Sequence, residues 1–311
     1  MSSDLFHIDP QQLAAITDLQ LLARIVVEGF MSGLHASPHF GASVEFAQYR
    51  PYVQGDDPRF VDWSLYARTD RLHSKQFQAE TNLRCMILLD CSASMSFSSM
   101  KASKFDYARM LSACLAMMLF RQKDAFGLLA FHEEIEAYIP PRMNQQHFNH
   151  MLLSLNDLAP SRKTNFPAIL QKANDLIPHR GMLIIISDFL HPFKDIIELI
   201  TLLSVRHRDV LIFSISDPME EDLSLNRSVT LIDSETNKEA YVVPDFIRKE
   251  YQENRRRHFS QVREECFSLE IDYGEFLTTE PLDRGLFQFL SKRKQILLSR
   301  SAHRTRTGGG S

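Results

Sequence analysis

The fold is decided by residues 84–95, which read Arg84-Cys85-Met86-Ile87-Leu88-Leu89-Asp90-Cys91-Ser92-Ala93-Ser94-Met95. An apolar run without alternation predicts a strand that is buried on both faces, as in a parallel sheet. The run ends in Asp-x-Ser-x-Ser, so the strand delivers a carboxylate and two hydroxyls to its carboxyl end. Oxygen donors at that end of an open α/β sheet favour a hard cation such as Mg²⁺. Asp and Ser after a strand also form turns and helix caps, so the motif alone leaves both interpretations open.

The composition is that of an ordinary soluble globular protein. The chain has 311 residues, of which 44% are hydrophobic and 24% charged, enough for one large α/β domain and a smaller unit. A net charge of −4 gives no reason to expect nucleic acid as a partner. The four cysteines form no C-x-x-C pair, which favours reduced thiols in a cytoplasmic protein. We expect no membrane span, because the longest apolar helical stretch is shorter than the roughly 20 residues that a bilayer requires. We also expect no signal peptide, because residues 1–10 contain Asp4, His7 and Asp9 and no apolar core.

The order of patterns along the chain predicts two parts. Residues 1–82 are expected to form a small N-terminal unit, with a helix over 10–30, strands over 44–52 and 72–79, and a short helix between the strands. Strand and helix signals then alternate from 83 to 295, which predicts a doubly wound, mostly parallel α/β sheet. Strands over 126–131 and 135–139 form its antiparallel edge, and the last strand is predicted at 267–272. Residues 296–311 are expected to be a flexible tail.

A second apolar strand also ends in a carboxylate. Residues 181–187 lead directly to Asp188, and a loop containing Thr164 lies between the two apolar strands in sequence. This combination resembles the von Willebrand factor A domain, whose metal-ion-dependent adhesion site (MIDAS) contains Asp-x-Ser-x-Ser, a loop Thr and a later Asp. The resemblance implies that Mg²⁺ or Mn²⁺ is held by Asp90, Ser92, Ser94, Thr164 and Asp188. It also implies an open coordination position for a carboxylate of a partner protein.

The chain departs from this pattern at two glycine positions. Arg162 and Lys163 stand where the loop Thr is usually preceded by Gly, and Phe189 follows Asp188 where Gly is common. Lys163 would place a positive charge beside the predicted cation.

The segment before the first apolar strand narrows the resemblance. It reads Tyr49-Arg50-Pro51-Tyr52, then Gly55-Asp56-Asp57-Pro58-Arg59-Phe60-Val61-Asp62-Trp63, then Ala67-Arg68-Thr69. This is similar to the signature of the bacterial domain-of-unknown-function 58 family, in which it precedes a von Willebrand A-like domain. The similarity extends over roughly residues 40–293. It implies a cytoplasmic or membrane-associated interaction protein that works with a MoxR-type AAA+ ATPase, without a small-molecule substrate.

Two alternatives to a metal-dependent interaction protein remain. One is an aspartyl-phosphate hydrolase, which needs a second carboxylate two residues after the nucleophile, where this chain has Ser92. A serine hydrolase is disfavoured because no Gly flanks Ser92 or Ser94, and nucleotide binding because no P-loop or G-x-G-x-x-G is present. The other alternative is a metal-independent scaffold that contacts an acidic partner through the basic residues 255–257. Metal dependence of binding distinguishes the two kinds of interaction protein.

Overall fold

A computed structural model describes residues 18–33, 45–53, 61, 63–78, 83–163, 169, 172, 176–177, 181–206, 209–225, 227–234 and 238–293. Most of the 55–63 signature, Thr164 and the predicted tail lie outside these residues. The described chain divides into two compact units, one formed by residues up to 38 together with those from 84 onward, and the other by residues 39–83.

The helices and strands alternate for most of the chain. The strands are β1 (Glu45–Pro51), β2 (His73–Gln78), β3 (Arg84–Asp90), β4 (Ala125–Phe131), β5 (Ile135–Arg142), β6 (Met182–Ser187), β7 (Asp209–Ser216), β8 (Val229–Ile232), β9 (Glu239–Val242) and β10 (Asp272–Leu277). The helices are α1 (Leu19–Gly33), α2 (Trp63–Thr69), α3 (Lys104–Arg121), α4 (Gln145–Asp157), α5 (Phe193–Arg206), α6 (Pro218–Asp222), α7 (Pro244–Ser268) and α8 (282–293).

The larger unit is built on a six-stranded sheet with the order β10-β7-β6-β3-β4-β5. Every neighbouring pair is parallel except β4 and β5, which are antiparallel. From β3 the chain proceeds to β4 and β5 on one side, then returns to β6 on the other side and continues outward. The direction of winding therefore reverses between β3 and β6, the position at which open α/β sheets bind ligands. The predicted doubly wound α/β sheet with one antiparallel edge is confirmed.

Helices cover both faces of this sheet. Side chains on one face, among them Met86, Leu88 and Ile185, form a buried cluster with residues of α5 and α7 such as Leu199 and Val262. Because side chains alternate along a strand, the residues between them point to the opposite face, which α3 contacts. The apolar runs of β3 and β6 reflect this burial on two sides.

Helix α3 starts where its capping residues place it. Ser103 is the N-cap, its hydroxyl accepts a hydrogen bond from the Asp106 N–H, and Asp106 accepts one from the Ser103 N–H in return. This reciprocal capping box satisfies two N–H groups that a helix start would otherwise leave without partners. It fixes Lys104 as the first helical residue, immediately beside the end of the sheet.

The first helix belongs to the larger unit, which differs from the predicted grouping of residues 1–82. Leu22, Ala23 and Val27 of α1 are buried, and α1 packs against α3. Glu28 also accepts a hydrogen bond from Arg121 at the end of α3. The apolar stripe of α1 must pack against another apolar surface, and a two-stranded hairpin offers less apolar surface than a long helix does.

The smaller unit contains β1, α2 and β2. The two strands pair in antiparallel fashion, with a register shift between Phe46 and Gln48. Trp63 is 62% exposed and packs edge-on against Tyr66.

The prediction of the last strand at 267–272 is wrong. Helix α7 continues to Ser268 because Val262 and Cys266 on its inner face are buried in the core. The chain then reverses at Glu270, which has a positive φ of 58°, and the strand occupies Asp272–Leu277. Phe267, which the prediction placed at the start of the strand, is 77% exposed at the end of the helix.

We predict that Gly127→Ala destabilises the protein by about 2 kcal/mol or more, because overpacking against backbone cannot be relieved by a rotamer change. A Cβ at this position of β4 would collide with the Ile139 carbonyl oxygen and lie 2.8 Å from the Pro141 nitrogen, both on β5. Gly274→Ala in β10 is the matched control, because the three atoms nearest to its Cβ would be ring atoms of Phe276 and Phe289 and not backbone atoms. Chemical denaturation should give a smaller loss for the control. Equal losses would contradict the assignment of a close backbone contact.

Candidate metal centre

Asp90 lies at the carboxyl end of β3 and is completely buried. Its Oδ1 accepts a hydrogen bond from the Ser92 N–H at 2.9 Å, and its Oδ2 accepts one from the Ser187 hydroxyl at 2.6 Å. Burial raises the pKa of Asp90, and the nearby Asp188 carboxylate raises it further. Negative charge is therefore concentrated between the ends of β3 and β6, and a cation bound there would relieve the repulsion.

The side chains of the two serines of the motif lie next to each other, close to Asp188. The Ser92 and Ser94 hydroxyl oxygens lie 3.0 Å apart, and Ser94 forms a side-chain hydrogen bond with Asp188. Ser94 belongs to a short 3₁₀ turn, Ala93–Ser96, that follows the strand directly. Asp90, Ser92, Ser94 and Asp188 thus lie together at the ends of β3 and β6, and their role as metal ligands stays a prediction.

Ser161 and Arg162, which precede Thr164 in the chain, contact the motif. The Ala93 N–H donates to the Arg162 carbonyl at 2.7 Å, and the Ser161 N–H donates to the Cys91 carbonyl at 2.8 Å. Thr164 itself lies outside the described residues, so its role as a ligand stays a prediction.

Asp188 is paired with a lysine that the sequence did not indicate. Lys104 is completely buried, and its Nζ lies 2.8 Å from Asp188 Oδ2. Burial acts to raise the pKa of Asp188, but the Lys104 ammonium, together with hydrogen bonds from Leu190 and Ser94, outweighs burial and holds that pKa below its usual value. Lysine is rarely buried and the two residues are 84 positions apart, so no local pattern identifies the pair.

A second acid shares the lysine. Glu220 Oε1 lies 2.5 Å from Lys104 Nζ. Glu220 belongs to α6 and forms a capping box with the N-cap residue Asp217, whose carboxylate also accepts hydrogen bonds from the backbone and hydroxyl of Ser99. The ends of β3, β6 and β7 are therefore joined through one network of charged and polar groups.

His191 is a further candidate ligand that the sequence motif does not include. An imidazole nitrogen of His191 and carboxylate oxygens of Asp90 and Asp188 all lie within 4.8 Å of one another. The only sequence signal is its position three residues after Asp188. Carboxylates and hydroxyls suit Mg²⁺ and Mn²⁺, and an imidazole is compatible with Mn²⁺. The donor set therefore fits a hard divalent cation, to which Lys104 adds a resident positive charge.

The two departures from the glycine pattern keep a glycine-like backbone. Arg162 has φ of 57° and Phe189 has φ of 52°, both in the left-handed region. This region costs a residue with a Cβ about 1–2 kcal/mol. The loops therefore follow the path that glycine would favour, although other residues occupy it.

We predict that Arg162→Gly stabilises the protein by roughly 0.5–1 kcal/mol, because glycine removes the cost of the left-handed backbone. The exposed pairs of Arg162 with Glu133 and Glu134, at 3.6 and 3.4 Å, are expected to offset little of this gain. The neighbouring exposed Ser161 has no positive φ, so Ser161→Gly should destabilise by a similar amount. Thermal and chemical unfolding of both variants measure the contrast, and destabilisation by both substitutions would refute it.

None of the helices within the described residues is both long and apolar enough to cross a bilayer.

Comparisons with known proteins show where this chain has relatives. The family described as "Protein of unknown function DUF58" matches residues 48–261. An uncharacterized protein of Mycobacterium tuberculosis is 30% identical over 232 residues, which cover 73% of this chain and 72% of the relative.

Two solved structures show a general likeness. BatB from Bacteroides thetaiotaomicron is 14% identical, with a TM-score of 0.43, over 68% of this chain and 99% of that one. The SpRpn10 VWA domain is 14% identical, with a TM-score of 0.40, over 66% of this chain and 93% of that one.

Proposed function

The chain belongs to the DUF58 family of proteins of unknown function, and we propose that it is a non-enzymatic, metal-dependent protein-interaction protein. Asp90, Ser92, Ser94, Asp188 and the predicted Thr164 would hold Mg²⁺ or Mn²⁺. The bound cation would attract a carboxylate of the partner protein.

The observation that carries this proposal is the convergence of two buried carboxylates at the reversal of the sheet. Asp90 and Asp188 come from neighbouring strands, and their proximity is one cause of the raised pKa of Asp90. Ser92 and Ser94 add oxygens that carry no charge. A divalent ion held here would therefore retain positive charge and could attract a negatively charged ligand of another protein. Such an arrangement suits reversible capture of an acidic side chain.

Two features of the site favour binding over catalysis: it has no carboxylate at the position of a catalytic acid, and its cysteine is not a reactive thiolate. Ser92 occupies the position at which an aspartyl-phosphate hydrolase needs its acid. Burial raises the pKa of the Cys91 thiol, which disfavours the reactive thiolate next to the site.

For the partner we propose a MoxR-type AAA+ ATPase, on the strength of the resemblance in the 49–69 segment. We also propose that the protein works in the cytoplasm, which the free state of all four cysteines supports.

We predict that saturating Mg²⁺ or Mn²⁺ raises the melting temperature of the wild-type protein but not of Asp90→Asn. A ligand at 100 times its Kd stabilises the folded state by about 2.7 kcal/mol. With EDTA the variant should be at least as stable as the wild type, because a buried charge beside Asp188 is removed. Differential scanning fluorimetry, with Glu239→Gln in the exposed β8–β9 hairpin as control, measures this. Equal shifts in wild type and Asp90→Asn would place the ion elsewhere.

We predict that a purified MoxR-type ATPase is retained by the immobilised protein in Mg²⁺ and released by EDTA. Asp90→Asn should fail to retain it under both conditions, whereas Glu239→Gln should behave as wild type. Retention that survives EDTA and Asp90→Asn would instead support the metal-independent scaffold.

A further inference from the structure

Lys104 is a buried cation at the candidate metal centre. Its side chain is fully inaccessible and contacts Asp188 and Glu220, with the ammonium 5.8 Å from the centre of the Phe97 ring. Burial acts to lower its pKa, but the two carboxylates outweigh burial and raise the pKa above its usual value. The ammonium therefore remains charged inside the protein.

The position of this charge matters for any second cation. The ammonium contacts Oδ2 of Asp188, while Oδ1 of the same carboxylate accepts the Leu190 N–H at 3.1 Å. Both oxygens of a predicted ligand are thus already engaged. A divalent ion that uses Asp188 would have to share it with the ammonium, and like charges at such distances repel strongly in a buried site.

Glu220 offers the ammonium a second acceptor. Its side chain is 14% exposed, compared with 1% for Asp188, and it is held by the capping box of α6. The Tyr251 hydroxyl of α7 also donates to the Glu220 carbonyl at 2.6 Å, which ties this short helix to the larger one. The lysine can therefore stay neutralised by Glu220 if its contact with Asp188 weakens.

We propose that Lys104 is an internal competitor of the divalent cation for Asp188, and that Glu220 alone holds the ammonium when the cation binds. This inference rests on the metal-dependent function proposed above and extends it. Metal affinity is then set by the partition of one lysine between two acids. The pair also links the occupancy of the metal centre to α6.

Isothermal titration with Mg²⁺ and Mn²⁺ tests the competition through two variants with opposite expected effects. Lys104→Met removes the competing charge and should tighten binding by about tenfold or more. Glu220→Gln removes the negative charge of the alternative acceptor, leaves the ammonium on Asp188, and should weaken binding by about threefold or more. Lys101→Met, an exposed lysine three residues away, is the control for net charge and should bind as wild type.

The outcomes separate this inference from the proposed function. If Lys104→Met binds no more tightly than wild type, or more weakly, the lysine only positions Asp188 and the competition is refuted. If Lys104→Met binds the ions and wild type does not, the competition is supported and the metal-dependent function of the wild type fails. If no variant binds, both fail. Should Lys104→Met not fold, as judged by circular dichroism, Glu220→Gln decides, and unchanged or tighter binding refutes the competition.

Discussion

The structure depends on the placement of two buried carboxylates at the ends of adjacent parallel strands. Asp90 and Asp188 repel each other in surroundings that screen charge poorly, and this arrangement persists only because other groups compensate. The compensation comes from the Ser187 hydroxyl, the Ser92 N–H and the Lys104 ammonium. A sheet of this topology brings the two acids together, so the surrounding loops must supply donors and positive charge.

The location of Lys104 shows how strong this requirement is. It is the first residue of α3, where the helix dipole is positive and a cation is disfavoured by roughly 0.3–1 kcal/mol. Burial adds a larger cost. Two carboxylates close to the ammonium outweigh both effects, and Asp106 in the first turn restores negative charge to the helix start. The lysine lies there because of Asp188 and Glu220, not because of the helix.

The sequence predicted what depends on local pattern and missed what depends on distant contacts. Asp90 and Asp188 were found because each ends an apolar strand, and parallel strands present their carboxyl ends at one edge. Lys104 and Glu220 are 116 residues apart. Lys104 begins a helix and Glu220 belongs to a capping box, so neither local sequence indicates that the two side chains form an ion pair. The last strand was misplaced because the extension of α7 to Ser268 depends on the burial of Val262 and Cys266 in the core, which a local pattern does not show. Helix α1 was grouped with the hairpin because periodicity shows that a helix has an apolar face but not which element covers it.

Phe189 shows how a departure from the expected glycine leaves the site intact. Its left-handed backbone costs about 1–2 kcal/mol, but burying a phenylalanine side chain contributes about 1.5–3 kcal/mol, and Phe189 is completely buried. Burial therefore outweighs or matches the strain. The turn is also held by the Phe189 N–H, which donates to Ser187 Oγ, while that hydroxyl donates to Asp90. Phe189 and Asp90 are thus connected by two hydrogen bonds through the Ser187 hydroxyl, so the packing of Phe189 helps to fix the position of Asp90.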